Sequence, residues 1–202
     1  MIYNSIVKGR FISRPNRFIA YAEIDGKEEI CHVKNTGRCR ELLIPEADII
    51  LEISDNPNRK TKFDLISVYK NGRLINIDSQ APNKIAAELL PKLFPDYIIK
   101  PEQKYKNSRF DFYLESANKR AFAEVKGVTL ENENIVMFPD APTERGVKHI
   151  NELIQAAENG FDAYILFIIQ MNQVKYLIPN YETHREFGAV SYTHLTLPTK
   201  LE

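Results

Sequence analysis

"RFDFYLESANKRAFAEVKG", Arg109 to Gly127, sets an acid inside each of two apolar runs that are separated by a short polar break. Side chains alternate along a strand, so Arg109, Asp111 and Tyr113 share one face, as do Phe122, Glu124 and Lys126. If Ser116 to Lys119 form a hairpin loop, Glu115 pairs with Arg120 and Asp111 falls opposite Glu124, with Arg109 opposite Lys126. Directly opposed carboxylates repel, so such a register calls for a shared proton or a cation. Mg²⁺ or Mn²⁺ is the simplest compensator, since Mg²⁺ takes oxygen ligands and is often held by one or two carboxylates plus substrate phosphates. Lys126, one pleat from Glu124, is placed to hold a phosphate oxygen or to orient a water. The competing reading is a salt-bridge network on a solvated sheet face, with Arg109 and Lys126 pairing the two acids. One residue more or less in the loop also moves Asp111 off Glu124.

Outward from this hairpin, the chain divides by pattern. Up to about Asp78 it reads as short strands, with Asp25-Gly26 and Asn71-Gly72 between apolar runs as hairpin turns. Five or six strands in that span predict a small barrel or sandwich, and an oligonucleotide-binding-type barrel is one candidate. From Pro82 the pattern changes. "NKIAAELLPKLF" has helical spacing, with Asn83 as cap and Pro91 disturbing the end. Strands "YIIKPEQKY", "RFDFYLE" and "RAFAEVKGV" follow. In "FPDAPTERGVKHINELIQAAENG", Pro142 suits a first turn, Val147, Ile150, Leu153, Ile154 and Ala157 form an apolar stripe, and Gly160 ends the helix. "DAYILFIIQ" then reads as a buried strand.

The chain has 202 residues, 44% of them hydrophobic and 27% charged, enough for a real core. Its longest apolar stretch is far short of the roughly 20 residues a membrane span needs, and the N-terminus lacks a signal-peptide core. A cytoplasmic protein without a membrane partner is expected. Cys31 and Cys39 are too few for a disulfide framework and, with His32, supply no zinc quartet. Lys and Arg balance Asp and Glu at 27 each, so total charge does not argue for nucleic acid. The distribution is less even: Lys8, Arg10, Arg14 and Arg17 precede the first acid, and Arg59, Lys60 and Lys62 cluster in a turn-like segment.

An acid followed later by acid-x-Lys resembles the metal-dependent PD-(D/E)XK nuclease core, here Asp111 and then Glu124-Val125-Lys126. "NTGRCREL", "PNKIAAELL", "PEQKYKNSRFDF", "EVKGVTL" and "FPDAPTERGVKHINEL" resemble, in order, the sugar fermentation stimulation protein A family, up to about Phe187. The resemblance implies an oligonucleotide-binding-type barrel over 1–80 and a PD-(D/E)XK restriction-endonuclease-like α/β domain over 81–188. It implies DNA binding associated with regulation of sugar (maltose) metabolism, and through the fold a metal-dependent nuclease. Asp111, Glu124 and Lys126 would be the catalytic set, and Glu102 would join Asp111 and Glu124 on the metal.

Residues expected to touch nucleic acid are Arg14, Arg17, Asn35, Thr36, Arg38, Arg109, Thr143, Arg145, Lys148 and His149. Asp140, Thr143, Arg145, Lys148 and His149 lie in the family's most distinctive segment. A helix N-terminus favours phosphate, and Arg145, Lys148, His149 and Glu152 recur at spacings of three and four, predicting a polar stripe opposite the apolar one. His149 by itself reads as a structural hydrogen-bonder. "NTGR" has the composition of a phosphate-contacting loop and equally of a plain β-turn. Arg14, Asn16, Arg17 and Phe18 suit backbone contact with base stacking, although Phe18 fits a core equally well. A homodimer is allowed as the assembly. The closing 189–202, "AVSYTHLTLPTKLE", has no helical period and resembles no part of the family; it reads as a translated cloning tail that leaves the second domain short.

Overall fold

The computed structural model describes residues 1–35 and 37–194, and the chain clusters into two compact units. The first holds Met1–Lys84 together with Ile169–Gln173. Its strands are β1 (Ile6–Ser13), β2 (Ile19–Ile24), β3 (Lys27–Val33), β4 (Asp48–Ile53), β5 (Phe63–Lys70) and β6 (Arg73–Asn76). They run β3-β2-β1-β4-β5-β6, and a parallel pairing of β3 with β5 through Cys31↔Phe63 and Val33↔Leu65 closes β1 to β5 into a five-stranded barrel. That closure decides for the oligonucleotide-binding-type barrel over the sandwich. Both predicted turns have positive φ at each central residue, Asp25 and Gly26 at 50° and 74°, Asn71 and Gly72 at 51° and 77°. Glycine relieves the steric cost of that conformation at the second position of each turn.

Inward-facing residues of alternate strand positions, among them Phe11, Ala20, Ala22, Cys31, Ile49, Leu51 and Leu65, fill the barrel. A buried carboxylate sits beside this apolar interior. Asp64, 2% exposed, accepts hydrogen bonds from Arg59 Nη1 and Nη2 at 2.8 and 2.5 Å, lies 2.8 Å from Lys34 Nζ and 3.1 Å from His32 Nδ1. Of the basic cluster Arg59, Lys60 and Lys62, Arg59 is therefore drawn onto a wall of the barrel, where it fastens the 54–62 connection to β5, while Lys60 and Lys62 stay exposed.

The second unit holds Ile85–Ile168 and the chain from Val174 onward. Its main sheet runs β12-β9-β8-β7, from β7 (Ile98–Tyr105), β8 (Ser108–Glu115), β9 (Arg120–Val128) and β12 (Asp162–Ile169). Helix α1 (Ala81–Leu93) covers one face, where Ala86 and Leu90 pack on Phe112, Leu114, Ala121, Ala123 and Val125. Helix α2 (Glu144–Glu158) covers the other, with Leu153 and Ala156 against Phe110 and Phe122. The second unit is thus a mixed α/β domain. A smaller sheet of β10 (Leu130–Asn132), β11 (Ile135–Phe138) and β13 (Tyr176–Pro179) carries no expectation from the sequence pattern.

Several local expectations need correcting. Helix α1 begins ahead of Asn83, with Asp78 Oδ1 accepting from Gln80 N and the Asp78 carbonyl from Ala81 N, and it continues past Pro91. Thr143, not Pro142, begins α2: its hydroxyl accepts the Gly146 N–H at 3.0 Å, as capping threonines do. Ala157 is exposed while Ala156 is buried, and β12 is half-buried because it is an edge strand. Residues 189–194, expected to lack a helical period, belong to α3 (Arg185–His194), whose Ser191 hydroxyl donates back to the Phe187 carbonyl at 2.7 Å. Residues 195–202 of the expected tail lie outside the described residues. Among the described residues no helix is long and apolar enough to cross a membrane.

Burial alone would push the Asp64 carboxyl up, but the hydrogen bonds and charges of Arg59 and Lys34 outweigh it and hold the group well below the usual carboxylate range. Asp64→Asn leaves Arg59 without its anion and Lys34 with Glu52 alone, and a loss of about 3 kcal/mol is expected in urea unfolding at neutral pH. A depressed folded pKa contributes stability that is complete above the unfolded value of about 4 and is lost on further acidification. The gap between wild type and Asp64→Asn should therefore be widest near neutrality and narrow below about pH 4. A gap constant down to pH 2 would refute the assignment.

Candidate metal and nucleic-acid site

The β8–β9 hairpin turns through Ser116–Lys119 and adopts the expected register, with Glu115↔Arg120, Leu114↔Ala121, Tyr113↔Phe122 and Phe112↔Ala123. The regular ladder stops one step before Asp111 and Glu124. There Asp111 Oδ2 accepts the Val125 backbone N–H at 2.7 Å. One edge over, Pro101↔Phe112 and Gln103↔Phe110 are paired while Glu102, between them, has φ 51° and drops out of the β7–β8 ladder. Side-chain alternation breaks at the same level: Phe112 packs beneath α1, whereas Phe110 packs with Phe122 and α2. Two adjoining ladders are interrupted at the level of the paired acids, and a positive φ in a non-glycine strand residue is strain of the kind that functional sites retain.

Glu124 is 3% exposed. Its Oε1 accepts from Lys126 Nζ at 2.6 Å and from His149 Nδ1 at 2.5 Å, so both donors converge on one oxygen. Its Oε2 is buried and has no hydrogen-bond partner among the described residues. Burial alone would raise this carboxyl; His149 and Lys126 outweigh burial and hold it below its ordinary value. His149, 6% exposed, meets Arg145 Nε at 3.4 Å through Nε2. An Nε2 that accepts places the neutral ring's proton on Nδ1, which is the atom that donates to Glu124. A chain Arg145, His149, Glu124, Lys126 results.

Why α2 presents a polar group here follows from its burial. The expected polar stripe is not a solvated face: His149 and Glu152 are buried along with Val147, Ile150, Leu153 and Ala156, while Arg145 and Lys148 stay exposed. The apolar stripe meets α3 and the sheet, so the helix is enclosed on more than one side. Lys148 Nζ donates to the Asn107 carbonyl at 3.3 Å and lies 3.8 Å from Glu152 Oε1. Thr143 spends its hydroxyl on the helix cap, and Asp140 is exposed.

Glu102 is exposed and forms a 3.5 Å ion pair with Arg109, also exposed. Among the described residues, Glu102, Asp111 and Glu124 do not bring three ligand atoms within 4.8 Å of one another; Glu144, His184 and Glu186 do. That second group is a poor cation site. His184 Nδ1 accepts the Thr143 N–H at 3.2 Å, which leaves the proton of a neutral ring on Nε2, the nitrogen that faces Glu144.

In the barrel, Arg14 is committed internally. Its terminal nitrogens donate to the carbonyls of Arg17, Asn35, Gly37 and Arg38 at 2.6 to 2.8 Å, fastening Asn35, Gly37 and Arg38 to the β1–β2 turn. Asn35 is likewise structural, donating to the Ile77 carbonyl at 2.8 Å and accepting from Gly37 N at 2.7 Å. Thr36 lies outside the described residues. Asn16 Oδ1 caps the turn by accepting from Phe18 N and Ile19 N at 2.9 and 3.0 Å. The exposed groups this framework presents are Arg17, Arg38 and the Phe18 ring, which is 52% exposed and so not a core residue.

The chain matches the "SfsA N-terminal OB domain" model over residues 12–77 and the "Sugar fermentation stimulation protein RE domain" model over 80–196. The latter match runs beyond Phe187, where the resemblance was expected to end. A sugar fermentation stimulation protein homolog of Clostridium beijerinckii is 63% identical over 93% of this chain and 84% of that protein. The homolog of Ruminiclostridium cellulolyticum is 61% identical with the same coverage. The solved structure of Pyrococcus furiosus SfsA in complex with Ca²⁺ superposes with a TM-score of 0.84 at 29% identity, over 95% of this chain and 84% of that one. With both of its units matched in order by models of one family, and relatives this similar along nearly its whole length, the chain belongs to the sugar fermentation stimulation protein family.

Proposed function

We propose that the protein binds DNA and hydrolyses phosphodiesters with a divalent cation held at Asp111 and Glu124. One observation carries the reading: Glu124 Oε2 is a buried carboxylate oxygen without a hydrogen-bond partner among the described residues, next in register to Asp111. Leaving such an atom unpaired costs free energy, and a hard cation with oxygen preference is the ligand that fits it. Two protein carboxylates are a normal complement for Mg²⁺ or Mn²⁺, with water and phosphate oxygens completing the shell. The Ca²⁺ in the Pyrococcus furiosus relative supports a divalent site in this chain also.

A cation bound there supplies the concentrated positive charge that phosphodiester cleavage requires. The chain's own groups orient and balance the site. His149 and Lys126 fix the Glu124 carboxylate through Oε1 and so aim Oε2. Lys126 brings an ammonium to the same place, suited to a phosphate oxygen as negative charge builds. Arg145 and Lys148 on the first turns of α2 add cations where the helix dipole already favours phosphate. Arg17, Arg38 and Phe18 give the barrel two charges and a stacking ring.

A second reading is a DNA-binding regulator without catalysis, tied to sugar metabolism as the family's name suggests. The observation that favours it is the absence of a three-ligand convergence around Glu124 among the described residues.

Calorimetry with Mn²⁺ separates the two. The wild type should bind one ion, and Glu124→Gln or Asp111→Asn should weaken binding at least about tenfold and abolish cleavage of duplex DNA. DNA binding without Mn²⁺ uptake or cleavage would establish the regulator. In either case log affinity should fall linearly with log salt, and Arg17→Ala, Arg38→Ala or Lys148→Ala should each lower the slope by about one. A salt-independent affinity would exclude phosphate contact.

A further inference from the structure

Arg145 joins two places that the proposed function treats separately. Its Nε is 3.4 Å from His149 Nε2, and its terminal amino groups make no hydrogen bond or ion pair to any described residue. The side chain is exposed on the first turn of α2. There Thr143 takes up the Gly146 and Val147 N–H groups, leaving those of Glu144 and Arg145 as the orphan donors of the helix start. Glu144, the acid nearest this terminus, turns toward His184 Nε2 at 3.6 Å. A phosphate approaching the helix would meet the guanidinium fork and the free N–H groups together.

Behind Arg145 the path is buried. His149 reaches Glu124 Oε1 at 2.5 Å, and Glu124 ends in the partnerless Oε2. We infer that Arg145 and His149 are positioning residues that couple DNA phosphate binding at the start of α2 to cation binding at Glu124, an inference that rests on the function proposed above. The physical link is the shared ordering of one side-chain chain. A phosphate that engages the fork fixes the guanidinium plane, which sets Nε–H on His149 Nε2 and locks the imidazole proton on Nδ1 toward Glu124. A cation at Oε2 orders the same carboxylate from the other end. Whichever ligand binds first bears the cost of ordering, so each tightens the other by the same factor.

The imidazole lets the link be cut at one side only. Asparagine reaches as far as Nδ1 and keeps a donor for Glu124, but it has no atom at Nε2 for Arg145. Arg145→Lys keeps a cation at the helix start and removes the planar Nε–H. Because Arg145 is exposed, that variant does not disturb the core.

The test is Mn²⁺ calorimetry with and without a saturating phosphorothioate-linked DNA duplex, which resists cleavage, with circular dichroism confirming each variant's fold. In the wild type the duplex should tighten Mn²⁺ binding about tenfold. In Arg145→Lys and His149→Asn the factor should fall to about one, and His149→Ala should bind Mn²⁺ about tenfold more weakly than His149→Asn. A wild-type factor retained in folded Arg145→Lys and His149→Asn overturns the coupling. So does a wild type that binds Mn²⁺ and duplex independently, and that result leaves the proposed function standing. A wild type that takes up no Mn²⁺ overturns the cation site and the coupling together.

Discussion

The Glu124 carboxylate is buried to 3% exposure and is still held toward its charged form. A buried charge persists only where hydrogen bonds and opposite charge outweigh its desolvation. Lys126 from the same strand and His149 from α2 provide both on Oε1, and each is held by another constraint. His149 cannot turn toward Glu124 unless α2 lies on the sheet, which Leu153 and Ala156 against Phe110 and Phe122 ensure. Gly146 allows the start of that helix to approach closely: a Cβ there would stand 2.8 Å from Thr143 and 3.1 Å from Phe187. The polar centre and the packing of the second unit are thus mutually dependent.

The barrel solves a similar problem differently. Asp64 is as buried as Glu124, yet both of its oxygens are met, by Arg59, Lys34 and His32. Full satisfaction marks a structural anchor that ties a loop to a wall. Partial satisfaction, with one oxygen left over, marks a group with capacity for something else. The same test separates the arginines: Arg14 spends its fork on carbonyls, whereas the terminal nitrogens of Arg145 meet no acceptor among the described residues.

Much of this was legible in the sequence where a rule acts over a few residues. Hairpin turns at Asp25-Gly26 and Asn71-Gly72, the limits of β7 to β9, and the register of the Ser116–Lys119 hairpin follow from period two and turn chemistry. Closure by β3 with β5 was not legible, because it is a pairing between residues far apart in the chain with no local signature. The same holds for the burial of His149 and Glu152. Helical spacing groups them correctly with Arg145 and Lys148, but how many neighbours enclose the helix is a tertiary fact. Asp111 could be placed opposite Glu124 by counting, while its turn toward Val125 N could not, since like charges in register relax by leaving the ladder.

The return of Ile169–Gln173 to the first unit bears on how the chain reaches its fold. Asn76 N donates to the Gln170 carbonyl at 2.9 Å, Gln170 Nε2 donates to Asn76 Oδ1 at 3.0 Å, and Met171 pairs with Ile75. Emerging from the ribosome, the barrel strands are all present long before this segment. Pairing across such a sequence separation carries a loop-closure cost and comes late. The last edge of β6 therefore stays open through synthesis of most of the second unit, and the first unit is finished by residues that belong, in chain order, to the other.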